Sequence, residues 1–294
     1  MPESLKVLRR RVRSISSTQQ ITRAMEMVAA AKLRRAQGAL MAARPFVENV
    51  EKLLGRLAPM AEVTGHPLFM QRRVKKSTLV VFTADRGLCG SYNATILRLA
   101  EHYLKGHARG TVDLVCVGNR GVDYFEKRAW PVVESFRDLG GVLERQQAVD
   151  ISAYLKERFI SGKTDEINLL YMSFISTAVS RPVQEKYLDM DQSALMRKFS
   201  PEDRSRALDY IFEPNYQRVF DELVPNYLIS KIYIILAEAF TSEHSSRMLA
   251  MNNASGNCDE MVETLTLQLN KARQSTITGE LLDIVGGAEA LQQG

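Results

Sequence analysis

From Tyr216 to Ala272 the chain keeps a single spacing. Tyr216, Phe220, Leu223, Tyr227, Ser230, Ile234, Ala237, Thr241, His244, Met248, Met251, Ser255, Cys258, Val262, Leu265, Leu269 and Ala272 alternate steps of four and three, and no proline follows Pro225. That alternation is the signature of a helix packed along a seam. A helix over 226–285 would be roughly 90 Å long at 1.5 Å per residue, and one over 4–57 roughly 80 Å. Neither fits inside a compact domain built from 294 residues. The two must lie against each other, against a partner, or both.

The N-terminal helix is less regular. Leu5, Leu8, Val12 and Ile15 step 3-4-3, and Ala36, Leu40, Ala43, Val47, Val50, Leu54 and Leu57 step 4-3-4-3-4-3. Between Ile15 and Ile21 the apolar phase slips, which predicts a stutter. Pro45 predicts a kink or a loosened turn, at about 3 kcal/mol unless offset. Gln19, Thr22, Thr241, His244 and Ser255 are small or polar where a self-sufficient coiled coil carries Leu or Ile. Two readings follow: a weakly packed coiled coil, or a slender two-helix shaft whose outer faces meet a partner.

Between the ends the pattern changes. Ser77–Thr83, Val112–Val117 and Ile167–Ser173 are short apolar runs of buried-strand type. Helical stretches near 92–106, 119–128 and 149–161 separate them, and this alternation predicts a parallel, doubly wound α/β sheet. Val179–Leu188 is a candidate added strand and Asp209–Phe212 a short one, with a polar loop at 189–207. The expected domains are an N-terminal stalk helix (1–75), a central α/β domain (76–212) and a C-terminal stalk helix (213–294) that pairs with the first.

Asp85-Arg-Gly-Leu-Cys-Gly90 follows a strand and opens a helix, as does Gly118-Asn-Arg-Gly121. Both have the strand–turn–helix order of a phosphate cradle. Neither has the GxGxxG spacing that lets backbone approach a pyrophosphate. Ser161-Gly-Lys-Thr164 lacks the earlier glycine of a phosphate loop, since Glu157 stands there, and it follows a helix instead of a strand. Tight turning and close helix–sheet packing explain these glycines without a nucleotide.

No GxSxG turn, HExxH or CxxC is present, and His102 and His107 are five apart, which is not one helix face. Cys89, Cys116 and Cys258 are dispersed, as expected of reduced thiols in a cytosolic compartment. No apolar signal segment opens the chain. The most apolar stretch, Leu228–Phe240, is broken by Lys231 and Glu238 and is short for a bilayer span. Residues 1–44 hold ten Lys or Arg against Glu3 and Glu26, a charge of +8 in a chain of net +5. Such a block implies an acidic partner. One such partner is nucleic acid, although no aromatic interleaving or recognisable nucleic-acid module accompanies it.

Ile21-Thr-Arg-Ala-Met-Glu-Met-Val-Ala-Ala-Ala-Lys32 resembles the N-terminal helix of the gamma subunit of F-type ATP synthases. Asn270-Lys-Ala-Arg-Gln-Ser-Thr-Ile-Thr-Gly-Glu280, with Ile284-Val-Gly-Gly-Ala-Glu-Ala290, resembles the C-terminal signature of that family, and Asp85-Arg-Gly-Leu-Cys-Gly-Ser91 is similar to its central glycine turn. Gly279 departs from the better helix former expected there.

The resemblance implies a long antiparallel two-helix coiled coil with a central Rossmann-like α/β domain. It implies a non-catalytic central-stalk rotor in a proton-translocating ATP synthase, peripheral on the cytoplasmic side of a bacterial membrane. The implied partners are alpha and beta subunits, an epsilon subunit and a ring of c subunits, with no cofactor on this chain and no nucleic acid. Arg23, Met25 and Lys32, with Arg247, Arg273, Gln274, Thr278 and Glu280, match positions that meet the beta subunit. The thiol-regulatory insert of the chloroplast version is not expected, because 189–207 contain no Cys.

Overall fold

The computed structural model describes residues 4–57, 66–191, 213 and 215–292. The expected short strand at Asp209–Phe212 and most of the 189–207 loop lie outside these residues. Helix α1 runs Leu5–Leu57, followed by a single 3₁₀ turn at Pro67–Phe69. The central elements are β1 (Ser77–Phe82), α2 (Tyr92–Lys105), β2 (Val112–Val117), α3 (Asn119–Glu126), β3 (Val132–Phe136), α4 (Arg145–Ile160), β4 (Glu166–Ser176) and β5 (Val179–Leu188). Helix α5 is a single element of 77 residues, Tyr216–Gln292.

The strand order is β3-β2-β1-β4-β5. β1 pairs in parallel with β2 and β4, β2 with β3, and β5 is antiparallel to β4. Every residue of β1 and of β2 is buried. A strand covered on both faces reads as an unbroken apolar run, and this made both visible in sequence. β3 escaped prediction: Val-Val-Glu-Ser-Phe is a half-buried edge strand, and its register with β2 shifts between Leu114 and Val115. One sheet face packs Val80, Val115, Leu169 and Tyr171 against α4 and against segments of α1 and α5. The other packs Leu79, Val81, Leu114 and Cys116 against α2 and α3. α4 begins at Arg145, earlier than expected, behind a capping box in which Gln147 returns to the Glu144 N–H.

Contacts group the chain into two compact units, residues 29–247 and the two ends, 1–28 with 248–294. In the unit of the ends, α1 and α5 pair antiparallel. Thr22 Oγ1 meets Ser255 Oγ at 2.7 Å, and Asn252 Nδ2 donates to Glu26 Oε1 at 2.9 Å. Arg23 pairs with Asp259 at 3.0 Å, and Gln19 also donates to that carboxylate.

The stutter predicted near Ile15–Ile21 is absent. The covered positions of α1 run Leu8, Val12, Ile15, Gln19, Thr22, Glu26, Ala29, Leu33 and Ala36 in one 4-3 phase, each buried or half-buried. Ile21 is 57% exposed. Polar Gln19 and Thr22 therefore hold the seam and apolar Ile21 leaves it. α1 also continues through Pro45. The hydrogen bond that Pro45 cannot give would have reached the carbonyl of Met41, a residue on an exposed turn where water can serve it. Likewise α5 starts ten residues before the expected 226 and passes through Pro225. The apolar run Leu228–Phe240 is core: Leu228, Ile232, Ile235, Leu236 and Phe240 are buried.

The Gly118 turn owes its glycines to Thr83. Thr83 Oγ1 donates to Val117 O and Gly118 O at 3.1 and 3.2 Å and accepts from Gly121 N at 2.9 Å. Gly118 has φ +97°, and a Cβ there would sit 2.1 Å from Thr83 O. Gly118→Ala should therefore destabilise the chain by about 2–4 kcal/mol, combining strain with overpacking. Gly110→Ala, at φ +84° in open space, should cost only about 1 kcal/mol. Urea unfolding of both variants checks this; equal midpoint shifts would contradict it.

Candidate functional site

The sheet grows outward from β1 to β2 and β3, then the chain crosses to β4 on the other side of β1. The carboxyl ends of β1 and β4 thus flank a topological switch point, the crevice in which open α/β sheets take ligands. In this chain the crevice is occupied by α5 itself. Ser242 Oγ donates to Met172 O of β4 at 3.1 Å, and Ser245 Oγ donates to Thr177 O just beyond it. Arg247 Nη2 donates to Arg86 O and Gly87 O at 3.2 and 3.3 Å, so its guanidinium sits on the backbone of the glycine turn after β1. Its Nη1 donates to Glu243 Oε1 at 2.7 Å. The run Thr241–Arg247 is buried at every position but Ser246, which is half-buried.

The loop after β3 closes over the same run. Gly141 O lies 2.8 Å from His244 Nε2. A carbonyl only accepts, so Nε2 carries the hydrogen and Nδ1 is left as an acceptor, 3.4 Å from Arg247 Nη1. Lys32 Nζ donates to the neighbouring Gly140 O at 3.0 Å. Asp85 joins this loop to α3: Oδ2 accepts from Gly140 N at 2.7 Å and Oδ1 from Asn119 N at 3.1 Å.

Burial sets the protonation of this cluster. Desolvation lowers His244 to about 4, against the opposing hydrogen bond to Gly141, with Arg247 and Lys32 adding to the fall. Desolvation also raises Glu243, against the pull of Arg247. Burial lifts the Cys89 thiol and, strongly, the Tyr92 hydroxyl beside them. The cluster therefore joins a neutral imidazole and an arginine–glutamate pair to backbone carbonyls. Its chemistry is that of a joint: its donors are committed to the chain's own backbone.

The residues matched by resemblance divide into two groups. Arg273, Gln274, Thr278 and Glu280 are exposed on α5, with Thr278 Oγ1 back-bonded to Gln274 O at 2.9 Å. Arg23 is exposed and shares Asp259, and Met25 is half-buried. Lys32 and Arg247 differ: both side chains are used within the chain, and Arg247 is only 9% exposed. Arg247 is thus neither a solvated helix-face residue nor an open contact. Sequence does not single out Ser242, Ser245 or the Gly140–Gly141 loop, and it marks Asp85 only as the first residue of a glycine turn. The one available signal was the polar run Thr-Ser-Glu-His-Ser-Ser inside an otherwise apolar phase.

A family model described as ATP synthase matches residues 4–291. The gamma chain of the ATP synthase of Moorella thermoacetica is 43% identical over 285 residues, 97% of this chain and 98% of that one. The chain belongs to the ATP synthase gamma chain family. Gamma chains from Desulforamulus reducens, 40% identical over 98% of this chain and 99% of that one, and Symbiobacterium thermophilum, 40% identical over 99% of this chain and the whole of the other, agree. The fold is shared with solved chains of two mitochondrial ATP synthases. One is from the central stalk and c-ring of Tetrahymena thermophila, with TM-score 0.61, 24% identity, and coverage of 80% of this chain and 99% of that one. The other is from Euglena gracilis, with TM-score 0.68, 17% identity, and coverage of 99% and 95%. The family match gives no support to a nucleic-acid-binding reading of the basic segment. A gamma-chain member is one subunit of a membrane-bound complex, and its sheet crevice is closed in this structure by its own helix.

Between pH 6.5 and about 4 the unfolded chain protonates His244 while the folded chain does not. Stability contributed by the neutral imidazole is therefore complete above pH 6.5 and declines as pH falls, by ~2 kcal/mol at pH 5. Glu243, held high by burial, acts in the opposite sense at the acid end. Urea unfolding at pH 7.5 and pH 5 should show that drop in the wild type and a drop smaller by ~2 kcal/mol in His244→Gln. Equal drops would contradict the burial of a neutral imidazole.

Proposed function

We propose that this chain is the central-stalk rotor of a proton-translocating F-type ATP synthase. It couples rotation of a membrane c ring to ATP synthesis or hydrolysis on beta subunits. The observation that carries this is the end-to-end match to gamma chains, which includes both long terminal helices as well as the α/β domain. In this reading the chain has no catalytic site of its own and is peripheral, on the cytoplasmic side of a bacterial membrane. Its partners are the alpha, beta and epsilon subunits and the c ring. The working parts are the N-terminal stalk helix (1–75), the central domain (76–212) and the C-terminal stalk helix (213–294).

The exposed Arg273, Gln274, Thr278 and Glu280, with Arg23 and Met25, form the surface offered to beta. Exposed Leu281, Leu282, Ile284 and Val285 continue the same helix with apolar side chains. A soluble helix end carrying such residues calls for a covering partner. Lys32 and Arg247 contribute indirectly, by holding α1 and α5 on the α/β domain. Coupling requires contacts that differ between rotary states, since a contact equal in all states shifts nothing.

Arg273→Ala combined with Gln274→Ala should slow steady-state ATPase of a reconstituted alpha–beta–gamma complex by roughly twofold to tenfold, the worth of one or two hydrogen bonds. Circular dichroism should show an unchanged helix, because Ala is a strong helix former. Unchanged turnover in the assembled double variant would remove both residues from the beta contact. Failure of the wild-type chain to assemble with alpha and beta subunits would overturn the rotor reading itself.

A further inference from the structure

We propose that the loop Asp138–Gly141 is a clasp that carries turning load between the two long helices and the α/β domain, with His244 as its positioning residue. The inference rests on the rotor reading and adds to it where the load passes. A helix in an apolar groove is held by non-directional burial, which resists separation better than it resists rolling. Hydrogen bonds resist rolling, because they weaken steeply with angle.

The loop supplies such bonds to both helices at once. Lys32 of α1 takes Gly140 O at 3.0 Å, and His244 of α5 takes the next carbonyl, Gly141 O, at 2.8 Å. The loop is fastened behind them. Asp85, after β1, accepts from Gly140 N at 2.7 Å and from Asn119 N at 3.1 Å, and Asn119 Nδ2 donates to Asp138 Oδ1 at 2.8 Å. A displacement of either helix is thereby resisted through a loop anchored to β1 and α3.

The close approach is built in. Gly141 has φ +64°, and a Cβ there would lie 2.7 Å from His244 Cε1. His244 is 1% exposed at a seam position, where an apolar side chain would pack without the cost of burying an imidazole. The loop carbonyl accounts for the choice. Arg247, one turn on, ties the same helix to the turn after β1 as a second anchor.

The test uses the complete ATP synthase in membrane vesicles, with proton pumping and ATP hydrolysis measured together, with and without an opposing proton gradient. His244→Leu removes the donor, and His244→Gln places an amide N–H near the position of Nε2. With the gradient opposing, the pumping-to-hydrolysis ratio of His244→Leu should fall about threefold or more below wild type, the worth of one hydrogen bond. His244→Gln should recover most of it. Should His244→Leu fail to assemble, Gly141→Ala, which pushes the loop off the imidazole, is read in the same assay and should show the same fall. A wild-type ratio under load in an assembled His244→Leu or Gly141→Ala complex would overturn the clasp, as would a His244→Gln complex no better than His244→Leu. In either case pumping restored by the wild-type chain to vesicles lacking it leaves the rotor reading in place, and absence of that restoration overturns both.

Discussion

The seating of the helical stretch Thr241–Arg247 in the crevice between the ends of β1 and β4 organises the central unit. Ser242 and Ser245 reach the carbonyls at the end of β4, and Arg247 reaches those after β1. A buried carbonyl that no neighbouring strand takes needs water, a ligand or another donor. A helix with serine and arginine at those positions supplies the donors. The glycine turn that resembles a phosphate cradle becomes a socket for a guanidinium. The same residues that make the crevice ligand-like in sequence make it fit the chain's own helix.

Polarity at the seam has a local reason in each unit. In the central unit His244 faces the Gly140–Gly141 loop, and Thr241 returns its hydroxyl to Ala237 O at 2.6 Å. In the unit of the ends, Thr22 and Ser255 satisfy each other, so the helices approach closely without a large side chain between them. Each pair has modest net worth. Removing Thr22 would cost Ser255 its cross-helix partner, whereas removing Ser255 would leave Thr22 Oγ1 still bonded to Gln19 O at 2.9 Å, so the pair fixes register more than it adds stability.

Much of this architecture is legible in sequence because its strongest determinants are periodic. The 4-3 phase of α5 survives from Phe220 to Ala272 as a line of buried or half-buried residues. β1, β2 and β4 announce themselves as apolar runs. Apolarity alone predicts a stutter at Ile15–Ile21, whereas the 4-3 phase through Gln19 and Thr22 does not. An exposed isoleucine is ordinary on a protein surface, so Ile21 was a poor guide to the seam. β3 is not legible in sequence because an edge strand with Glu134 and Ser135 has neither alternation nor a buried run. The joint was hidden for a different reason. Its bonds join side chains to carbonyls 68 to 161 residues away in sequence, and a carbonyl has no residue identity to read. Arg247 could be noticed by resemblance, but its place in the chain's interior could not.

Native-state hydrogen exchange read at the amides of Thr241–Arg247 tests most directly whether this seating holds the central unit together. If the stretch is locked in the crevice, these amides should exchange only through global unfolding. Their dependence on denaturant should then match that of Leu79–Phe82 in β1. Exchange of Thr241–Arg247 through a smaller opening, while the β1 amides remain protected, would contradict the account.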